Sequence, residues 1–111
     1  MGQAAAKRYL LRRGYKILAE NYRLRSSEID IIALDSEYVV FVEVKLRSSL
    51  AYGLPREAVN AAKQRRIVSA AMHYIGAREL REQDFRFDVV EVVRQGGQLQ
   101  VSHIPDAFQL N

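Results

Sequence analysis

The sequence predicts an α/β fold in which a mixed β-sheet is flanked by helices, in the order α-β-β-β-α-β-β. Two segments show helical periodicity, five show strand patterns, and short polar or glycine-containing turns separate them. The chain has 111 residues, of which 49% are hydrophobic and 27% charged. This composition predicts a single domain over residues 1–111 with one modest core.

The first half of the chain supplies one helix and three strands. Residues 3–13 are rich in alanine and leucine, which favour a helix, and Gly14 is a natural stop. The segment 35–37 reads as a tight turn between the second and third strands. The predicted strands run from Tyr15 to about Ala19, over 27–34 and over 38–47.

The second half begins with a predicted loop over 48–55, which contains a glycine and a proline. Residues 56–75 carry the longest helical period, and Gly76 ends it. Two strands follow, over 85–93 and 99–104, joined by the turn 95–98, and the segment 105–110 is predicted to be a tail.

The charge of the chain is basic and unevenly distributed. The net charge is +4, and residues 1–25 hold seven basic side chains against one acidic. Residues 79–111 hold three basic side chains against six acidic. A basic front half indicates attraction to a polyanion such as nucleic acid, and a solvated basic surface explains the charge equally well.

Several classes of site and of protein are excluded by composition. The chain has no cysteine, so disulfides, thiolate zinc sites and cysteine nucleophiles are ruled out. His73 and His103 lie too far apart for a familiar metal-ligand spacing. No run approaches the length of a membrane helix, and the start lacks the apolar core of a secretory signal. We therefore expect a cytoplasmic protein with no membrane partner.

Four ionisable side chains interrupt the apolar hairpin "EIDIIALDSEYVVFVEVK". Alternation along the strands puts Glu28 and Asp30 on a face with Ile32 and Leu34, and puts Ile29, Ile31 and Ala33 on the other. In the next strand, Glu43 and Lys45 oppose a face of three valines, Val40, Val42 and Val44. If Ser36 and Glu37 form a two-residue turn, Asp35 pairs with Tyr38, Asp30 faces Glu43 and Glu28 faces Lys45. A slip of one residue would put Glu43 on the other face from Asp30; we choose the first register because it keeps the valine face apolar and gathers the charges.

Two facing carboxylates predict a cation site. Asp30 and Glu43 repel each other unless one is protonated or a cation lies between them. Their hard oxygens suit Mg²⁺ or Mn²⁺, and a lysine such as Lys45 steadies developing negative charge. Such a group suits hydrolysis of a phosphate ester. The alternative is a cross-strand Glu28–Lys45 salt bridge beside solvated carboxylates.

The residues of this hairpin resemble those of the PD-(D/E)XK nuclease superfamily, which has a restriction-endonuclease-like core. Nearly the whole chain resembles the small bacterial family UPF0102, also called YraN-like. The similar stretches are "GQAAAKRYLLRRGYKILAENYR", the block from "SEIDIIAL" through "FVEVKLR" to "AKQRRI", then "RFDVVEV" and "IPDAF".

The resemblance implies a role for each matching position. Asp30 and Glu43 would be metal ligands, Val44 would add its backbone carbonyl, and Lys45 would lie near the attacking water. Gln3 stands where that family often has glutamate, and a glutamine carbonyl is a poorer ligand. Ser27 replaces a glycine that often precedes the Glu-Ile-Asp run. Gln3 and Glu28 are supporting candidates.

The expected activity is metal-dependent hydrolysis of DNA, in preference to RNA, with branched or structured DNA as a candidate substrate. A module that keeps the fold but only binds nucleic acid or protein is the alternative, and Gln3 supports it. A homodimer is expected only by analogy with other nucleases. The candidate phosphate-contacting residues are Lys7, Arg8, Arg12, Arg47, Lys63 and Arg66.

Overall fold

A computed structural model describes residues 2–47, 60–80 and 83–109, which form a five-stranded mixed sheet with a helix on each face. The predicted order α-β-β-β-α-β-β is confirmed. The predicted loop 48–55 and residues 56–59 of the predicted helix lie outside the described residues. The elements are α1 Gly2–Arg12, β1 Lys16–Arg23, β2 Glu28–Asp35, β3 Tyr38–Arg47, α2 Ala61–Ala77, β4 Asp84–Gln95 and β5 Gln98–Phe108.

The strands lie in the sheet in chain order, from β1 at one edge to β5 at the other. Every neighbouring pair is antiparallel except β3 and β4, which are parallel. Parallel neighbours need a crossover connection, and α2 lies on that crossover. The crossover brings the start of α2 back toward the end of β3, where the candidate site lies.

Each helix buries one face of the sheet. Under α1, the small residues Ala5 and Ala6 and the larger Leu10 pack on the valine face that was predicted for β3. Under α2, Ile67 and Tyr74 pack on the opposite face. Burying both faces of the central strands explains their long apolar runs. Buried members of the two sheet faces are Ile31, Ala33, Val40 and Val42 under α1, and Ile32, Val39, Phe41 and Phe87 under α2.

The predicted register of the β2–β3 hairpin is confirmed. Asp35 pairs with Tyr38, and the ladder continues without a shift to the pair Ile31 and Val42. Ser36 takes a positive φ of 53° in the two-residue turn, as tight hairpin turns require. A two-residue turn also closes β4–β5, where Gly96 and Gly97 both have positive φ, whereas only Ser36 does in the β2–β3 turn.

Both ladders of β2 are interrupted at Asp30. On the β3 side, the backbone pairing ends at Ile31. On the β1 side, Asn21 stands opposite Asp30 with a φ of 53°, between the pairs formed by Ile31 and Ile29. The alternation of side chains between the two faces is broken at this point, so the Ile29 side chain packs in the core under α2. The prediction that Ile29 shares a face with Ile31 and Ala33 was wrong for this reason.

Two strands extend four residues past their predicted ends. Strand β1 continues past Ala19 to Arg23, because its polar residues remain paired with β2. Strand β5 continues past Ile104 to Phe108, so the predicted tail is largely strand. Pro105 is tolerated because β5 is an edge strand, and a register shift at this end accommodates the positive φ of Asp106.

Helix α2 begins later than the sequence predicted. Asn60 has an extended backbone, with φ −76° and ψ 171°, and its side chain accepts a hydrogen bond from the Lys63 backbone N–H. Asn60 is therefore the N-cap, so α2 begins at Ala61, and Asn60, which the prediction placed inside the helix, lies just before it. Among the described residues, no helix is both long enough and apolar enough to span a membrane.

A buried ionic cluster joins α1 and three strands at the end of the sheet away from the α2 N-terminus. The fully buried Asp88 accepts hydrogen bonds from Arg86, from His103 Nε2 at 2.7 Å and from the Asp106 backbone N–H at 3.0 Å. The second ring nitrogen of His103 lies 3.2 Å from the Tyr9 hydroxyl on α1. Arg86 reaches further, to Asp35 and to the Tyr15 hydroxyl.

Candidate metal centre

Asp30 is held at the point where the β2–β3 ladder opens. Its Oδ2 accepts a hydrogen bond of 2.8 Å from the Val44 backbone N–H, in place of a backbone partner. Its own backbone carbonyl accepts a hydrogen bond of 3.2 Å from Gln3 Nε2 on α1. The aspartate is thus tied to both neighbouring elements, while its Oδ1 has no partner among these contacts.

Glu43 is the most buried acid of the hairpin, with 4% of its side chain exposed. Burial raises the pKa of Glu43 to about 7; the contact with Lys63 works against this rise, and the nearby Asp30 carboxylate adds to it. A pKa this high means that the positive groups around Glu43 do not fully offset the cost of burying its negative charge. The predicted approach of Asp30 to Glu43 is therefore present.

Two lysines approach the same oxygen of Glu43. Lys63 Nζ, from the first turn of α2, contacts Glu43 Oε2, and Lys45 Nζ on β3 lies 4.0 Å from it. Burial, followed by the charge of Lys63, lowers the pKa of Lys45. Burial also works against the charge on Lys63, but the contact with Glu43 outweighs it and raises the pKa of Lys63. The pKa values of the two lysines thus shift in opposite directions, upward for Lys63 and downward for Lys45.

A cavity of about 420 Å³ opens onto these groups. Asp30, Glu43 and Lys63 line it, together with three arginines. Its charged lining residues are Arg23, Arg25, Glu28, Asp30, Glu43, Lys63 and Arg66. The cavity is large enough for a hydrated ion and a phosphate group, and its charges suit both.

The donor set fits a hard divalent cation. Asp30 and Glu43 supply carboxylate oxygens, which Mg²⁺ and Mn²⁺ prefer. Within residues 2–47, 60–80 and 83–109, no third acid or histidine completes a cluster around one point. Mg²⁺ is commonly held by one or two carboxylates together with waters, so two acids are sufficient. The raised pKa of Glu43 supports the fit, because a cation would supply the compensation that Glu43 lacks.

Glu28 does not face Lys45 as the sequence predicted. Its carboxylate pairs with Arg23 on β1, with Nε and Oε2 3.0 Å apart. The reason is the opening of the hairpin: the β2–β3 ladder has ended by Ile31, and only the β1–β2 pairing continues to Glu28. Glu28 nevertheless lines the cavity. The alternative of a cross-strand Glu28–Lys45 salt bridge is therefore wrong.

The other predicted phosphate contacts divide into two groups. Lys63 and Arg66 line the cavity. Lys7 pairs with Glu20 at 2.8 Å, on the side of the sheet that α1 covers, and Arg8 and Arg12 are exposed on α1. Arg47 lies beside the site, where its Nε is 2.7 Å from Oε2 of the buried Glu91. That contact lacks the geometry of a hydrogen bond, so charge alone joins the two groups.

The sequence interpretation missed Glu91. This side chain is fully buried, and β4 pairs it with Lys45 in the parallel ladder. The available signal was an acid inside an apolar strand, "DVVEVV", which is the same signal that drew attention to Asp30 and Glu43. The identity of its partner, Arg47, depends on the parallel register and was not visible in the local pattern.

A sequence profile described as "Uncharacterised protein family UPF0102" matches residues 2–92. The chain belongs to UPF0102. The matched span contains Gln3, Asp30, Glu43, Lys45 and Lys63, whereas strand β5 lies beyond it.

Relatives named as UPF0102 proteins match almost the full chain. The protein of Myxococcus xanthus is 44% identical over 107 residues, which cover 96% of this chain and 85% of the relative. That of Syntrophotalea carbinolica is 44% identical over 110 residues, with 99% and 89% covered. That of Trichlorobacter lovleyi is 46% identical over 112 residues, with 99% and 88% covered. Membership of UPF0102 therefore extends over the whole site.

Proposed function

We propose that this chain is a divalent-metal-dependent nuclease that hydrolyses phosphodiester bonds in DNA. One observation carries the proposal: the carboxylates of Asp30 and Glu43 converge with the amino groups of Lys45 and Lys63 beside one cavity, at the open end of the β2–β3 hairpin. Buried acids of like charge are costly unless a cation joins them. The resemblance of the hairpin to PD-(D/E)XK nucleases gives the same assignment.

The residues take separate parts in the proposed reaction. Asp30 and Glu43 would hold Mg²⁺ or Mn²⁺, and the Val44 carbonyl is the further ligand that the resemblance implies. The ion would neutralise phosphate charge and make the attacking water more acidic. Lys45 has a pKa lowered by burial and by Lys63, so it can hold or pass a proton more readily than an exposed lysine. In the proposed reaction, Lys45 would orient the water.

The charge around the cavity supports a nucleic-acid substrate. Helix α2 has no acid in its first turn, and Lys63 and Arg66, which both lie within its first six residues, line the cavity. Together with the helix dipole, these cations make a positive pole at the cavity. Arg23 and Arg25 stand on the far side of the same opening. We extend the proposal to branched or otherwise structured DNA, whose bends place several phosphates around one site.

A cleavage panel tests the proposal. Single-stranded, duplex, flapped and four-way-junction DNA, together with RNA, are incubated with Mn²⁺ or with chelator. We expect cleavage of DNA that requires the metal and falls by about 100-fold or more in Asp30→Asn and in Lys45→Met. Asparagine keeps an oxygen for the Val44 N–H, so Asp30→Asn should remain folded.

Glu37→Gln is the matched control. Glu37 is an exposed acid in the turn of the same hairpin, away from the cavity, and its loss should leave cleavage unchanged. Activity that persists in both Asp30→Asn and Lys45→Met would reject the assignment of the site. Cleavage of RNA but not of DNA would overturn the assignment of DNA as the substrate and would identify RNA in its place.

The position of Gln3 favours a second candidate function, a module that binds nucleic acid or protein without turnover. Its amide donates to the Asp30 carbonyl, so this position contributes no carboxylate to the centre. A binding module should retain DNA in chelator with undiminished affinity and should cleave nothing in the panel. A metal-dependent gain in thermal stability would instead favour the nuclease, since a ligand stabilises the folded state that binds it.

A further inference from the structure

Lys63 occupies an electrostatically unfavourable position on its helix. It is the third residue of α2, and its backbone N–H donates to the N-cap Asn60 at 2.9 Å. A helix N-terminus carries partial positive charge, so acids are favoured there and lysine is not. The first turn of α2 nevertheless has no acid. The gain that offsets this cost is the contact of Lys63 Nζ with Glu43 Oε2.

That contact occupies one oxygen of the carboxylate that the proposed metal ion needs. Glu43 is 4% exposed, so its carboxylate cannot turn into solvent to serve two cations at once. Its Oε2 already faces the ammonium of Lys63 and, 4.0 Å away, that of Lys45. A divalent ion held by Asp30 and Glu43 would lie close to these positive charges and would be repelled by them.

We propose that Lys63 is an exchangeable counter-ion of Glu43, which yields the carboxylate to a divalent cation and then neutralises the substrate phosphate. This inference rests on the proposed metal-dependent function and adds an order of events to it. The side chain of Lys63 is 34% exposed and has a flexible four-carbon stem, so its ammonium can move into the cavity without moving the helix.

The exchange couples the two ligands of the site. Metal binding releases a positive charge beside the cavity, and that charge attracts phosphate. By linkage, a phosphate that binds Lys63 frees Glu43 and strengthens metal binding by the same factor. Metal and nucleic acid should therefore bind cooperatively, with Lys63 carrying a share of the coupling.

The first test measures Mn²⁺ binding by calorimetry, without nucleic acid, for the wild type and for Lys63→Met. Removing the competing ammonium should tighten Mn²⁺ binding by about threefold to tenfold, the range of a partly exposed ion pair. Arg65→Met is the matched control, because it removes the same charge from an exposed position two residues away on the same helix. It should change Mn²⁺ affinity by less than about twofold.

The second test measures single-turnover DNA cleavage at saturating Mn²⁺. Lys63→Met should cleave about tenfold to 100-fold more slowly than wild type although it holds the metal more tightly, because the phosphate has lost its ammonium. Lys63→Arg keeps the charge and should recover part of the rate. Circular dichroism checks folding, and Lys63→Gln replaces Lys63→Met if methionine disturbs the cavity.

The outcomes separate this inference from the function on which it rests. Unchanged or weaker Mn²⁺ binding in both Lys63→Met and Lys63→Gln, with tight binding by wild type, would overturn the counter-ion exchange and leave the nuclease standing. Tighter binding with an unchanged cleavage rate would overturn the phosphate role of Lys63. Failure of wild type to bind Mn²⁺ would overturn both proposals.

Discussion

Glu43 connects the two kinds of charge in the site. Its buried carboxyl group lies next to Asp30 and in contact with Lys63. Burial raises its pKa to about 7 from an ordinary value of 4.5. The folded protein therefore binds more protons at Glu43 than the unfolded chain does over the interval between these values.

This shift predicts a dependence of stability on pH. Because the folded pKa is the higher one, the contribution of Glu43 is fully present below about pH 4.5 and is lost as pH rises through 7. Between pH 5 and pH 8 in chelator, the free energy of unfolding should fall by on the order of 2 kcal/mol through this group. Urea titrations of wild type and Glu43→Gln measure it.

The Glu43→Gln variant should lack this part of the pH dependence, since glutamine does not titrate in this range. Asp84→Asn, at an exposed acid that begins β4, serves as a control and should keep the wild-type slope. Identical slopes in wild type and Glu43→Gln would contradict the raised pKa. Saturating Mn²⁺ should also flatten the wild-type slope, because a bound cation favours the ionised carboxylate.

At the scale of the element, the start of α2 positions Lys63. The Asn60 side chain caps the helix through the Lys63 N–H, so the residue that fixes the helix boundary also fixes the backbone of the lysine. We expect Asn60→Ala to lower the free energy of unfolding by about 1 kcal/mol, measured in urea. Asn60→Ser retains a capping oxygen and should cost much less. Equal losses in the two variants would show that the capping bond is not the source.

The ionic cluster around Asp88 ties β4 to α1 and β5. Burial opposes its charge, but hydrogen bonds from His103, Arg86 and the Asp106 N–H outweigh burial and hold the pKa of Asp88 below its ordinary value. A lowered folded pKa means that this stabilisation is present above the unfolded value of about 3.8 and is lost as pH falls below it. The stabilisation that this cluster provides should thus be lost in acid, whereas the stabilisation that Glu43 provides is lost as pH rises.

We expect Asp88→Asn to cost roughly 3–5 kcal/mol at pH 7, because Arg86 and His103 keep buried donors without their full charge partner. The difference from wild type should shrink near pH 3, because the unfolded chain protonates Asp88 below about 3.8 whereas the folded protein, in which the pKa of Asp88 is lowered, resists protonation there. Thermal unfolding at the two pH values measures both effects. Asp106→Asn removes a neighbouring exposed carboxylate, suits the positive φ there, and should be nearly neutral. A loss in Asp106→Asn as large as that in Asp88→Asn would contradict this view.

Local rules predicted the elements and the hairpin, and failed where tertiary contacts decide the backbone. The pairing of Asp35 with Tyr38 followed from turn length and alternation, which act within a few residues. Alternation misplaced Ile29 because Asn21 and Asp30 break the ladder from opposite strands. The start of α2 was missed because the residues before Asn60 continue an apolar helical period, and only the cap ends it.

The candidate site was predictable in its two acids and in Lys45, since these lie on one hairpin. Contacts that cross elements were not predictable. Lys63 reaches Glu43 from a helix, Glu91 reaches Arg47 through the parallel ladder, and Glu28 turns away to Arg23. Each depends on the packing of distant segments, for which a single sequence offers no spacing rule.

At the scale of the whole molecule, the net charge of +4 and the cations at the start of α2 predict salt-dependent DNA binding. Each phosphate contact contributes about 0.9 to the slope of log affinity against log salt concentration. Arg66→Gln should therefore reduce the magnitude of this slope by about 1 in fluorescence anisotropy titrations.

Arg78→Gln provides the comparison for that measurement. Arg78 caps the opposite end of α2, about 18 Å from Arg66 at the rise of an α-helix, and its guanidinium packs over the Tyr74 ring. The variant carries the same change in net charge and should leave the slope nearly intact. Equal reductions in both variants would indicate diffuse attraction rather than phosphate contacts at the cavity.

The parallel pairing of β3 with β4 has a consequence for how the chain folds. The β2–β3 hairpin closes through a two-residue turn, whereas β4 can join β3 only after the chain has looped through α2. Contacts between distant segments carry a larger loop-closure entropy and form more slowly. We therefore expect Asp30 and Glu43 to meet early, before Lys63 arrives to offset their repulsion. Kinetic φ-values near zero in the hairpin and near one in α2 would contradict this order. Divalent ions should then speed the folding of the chain as well as stabilise the folded protein.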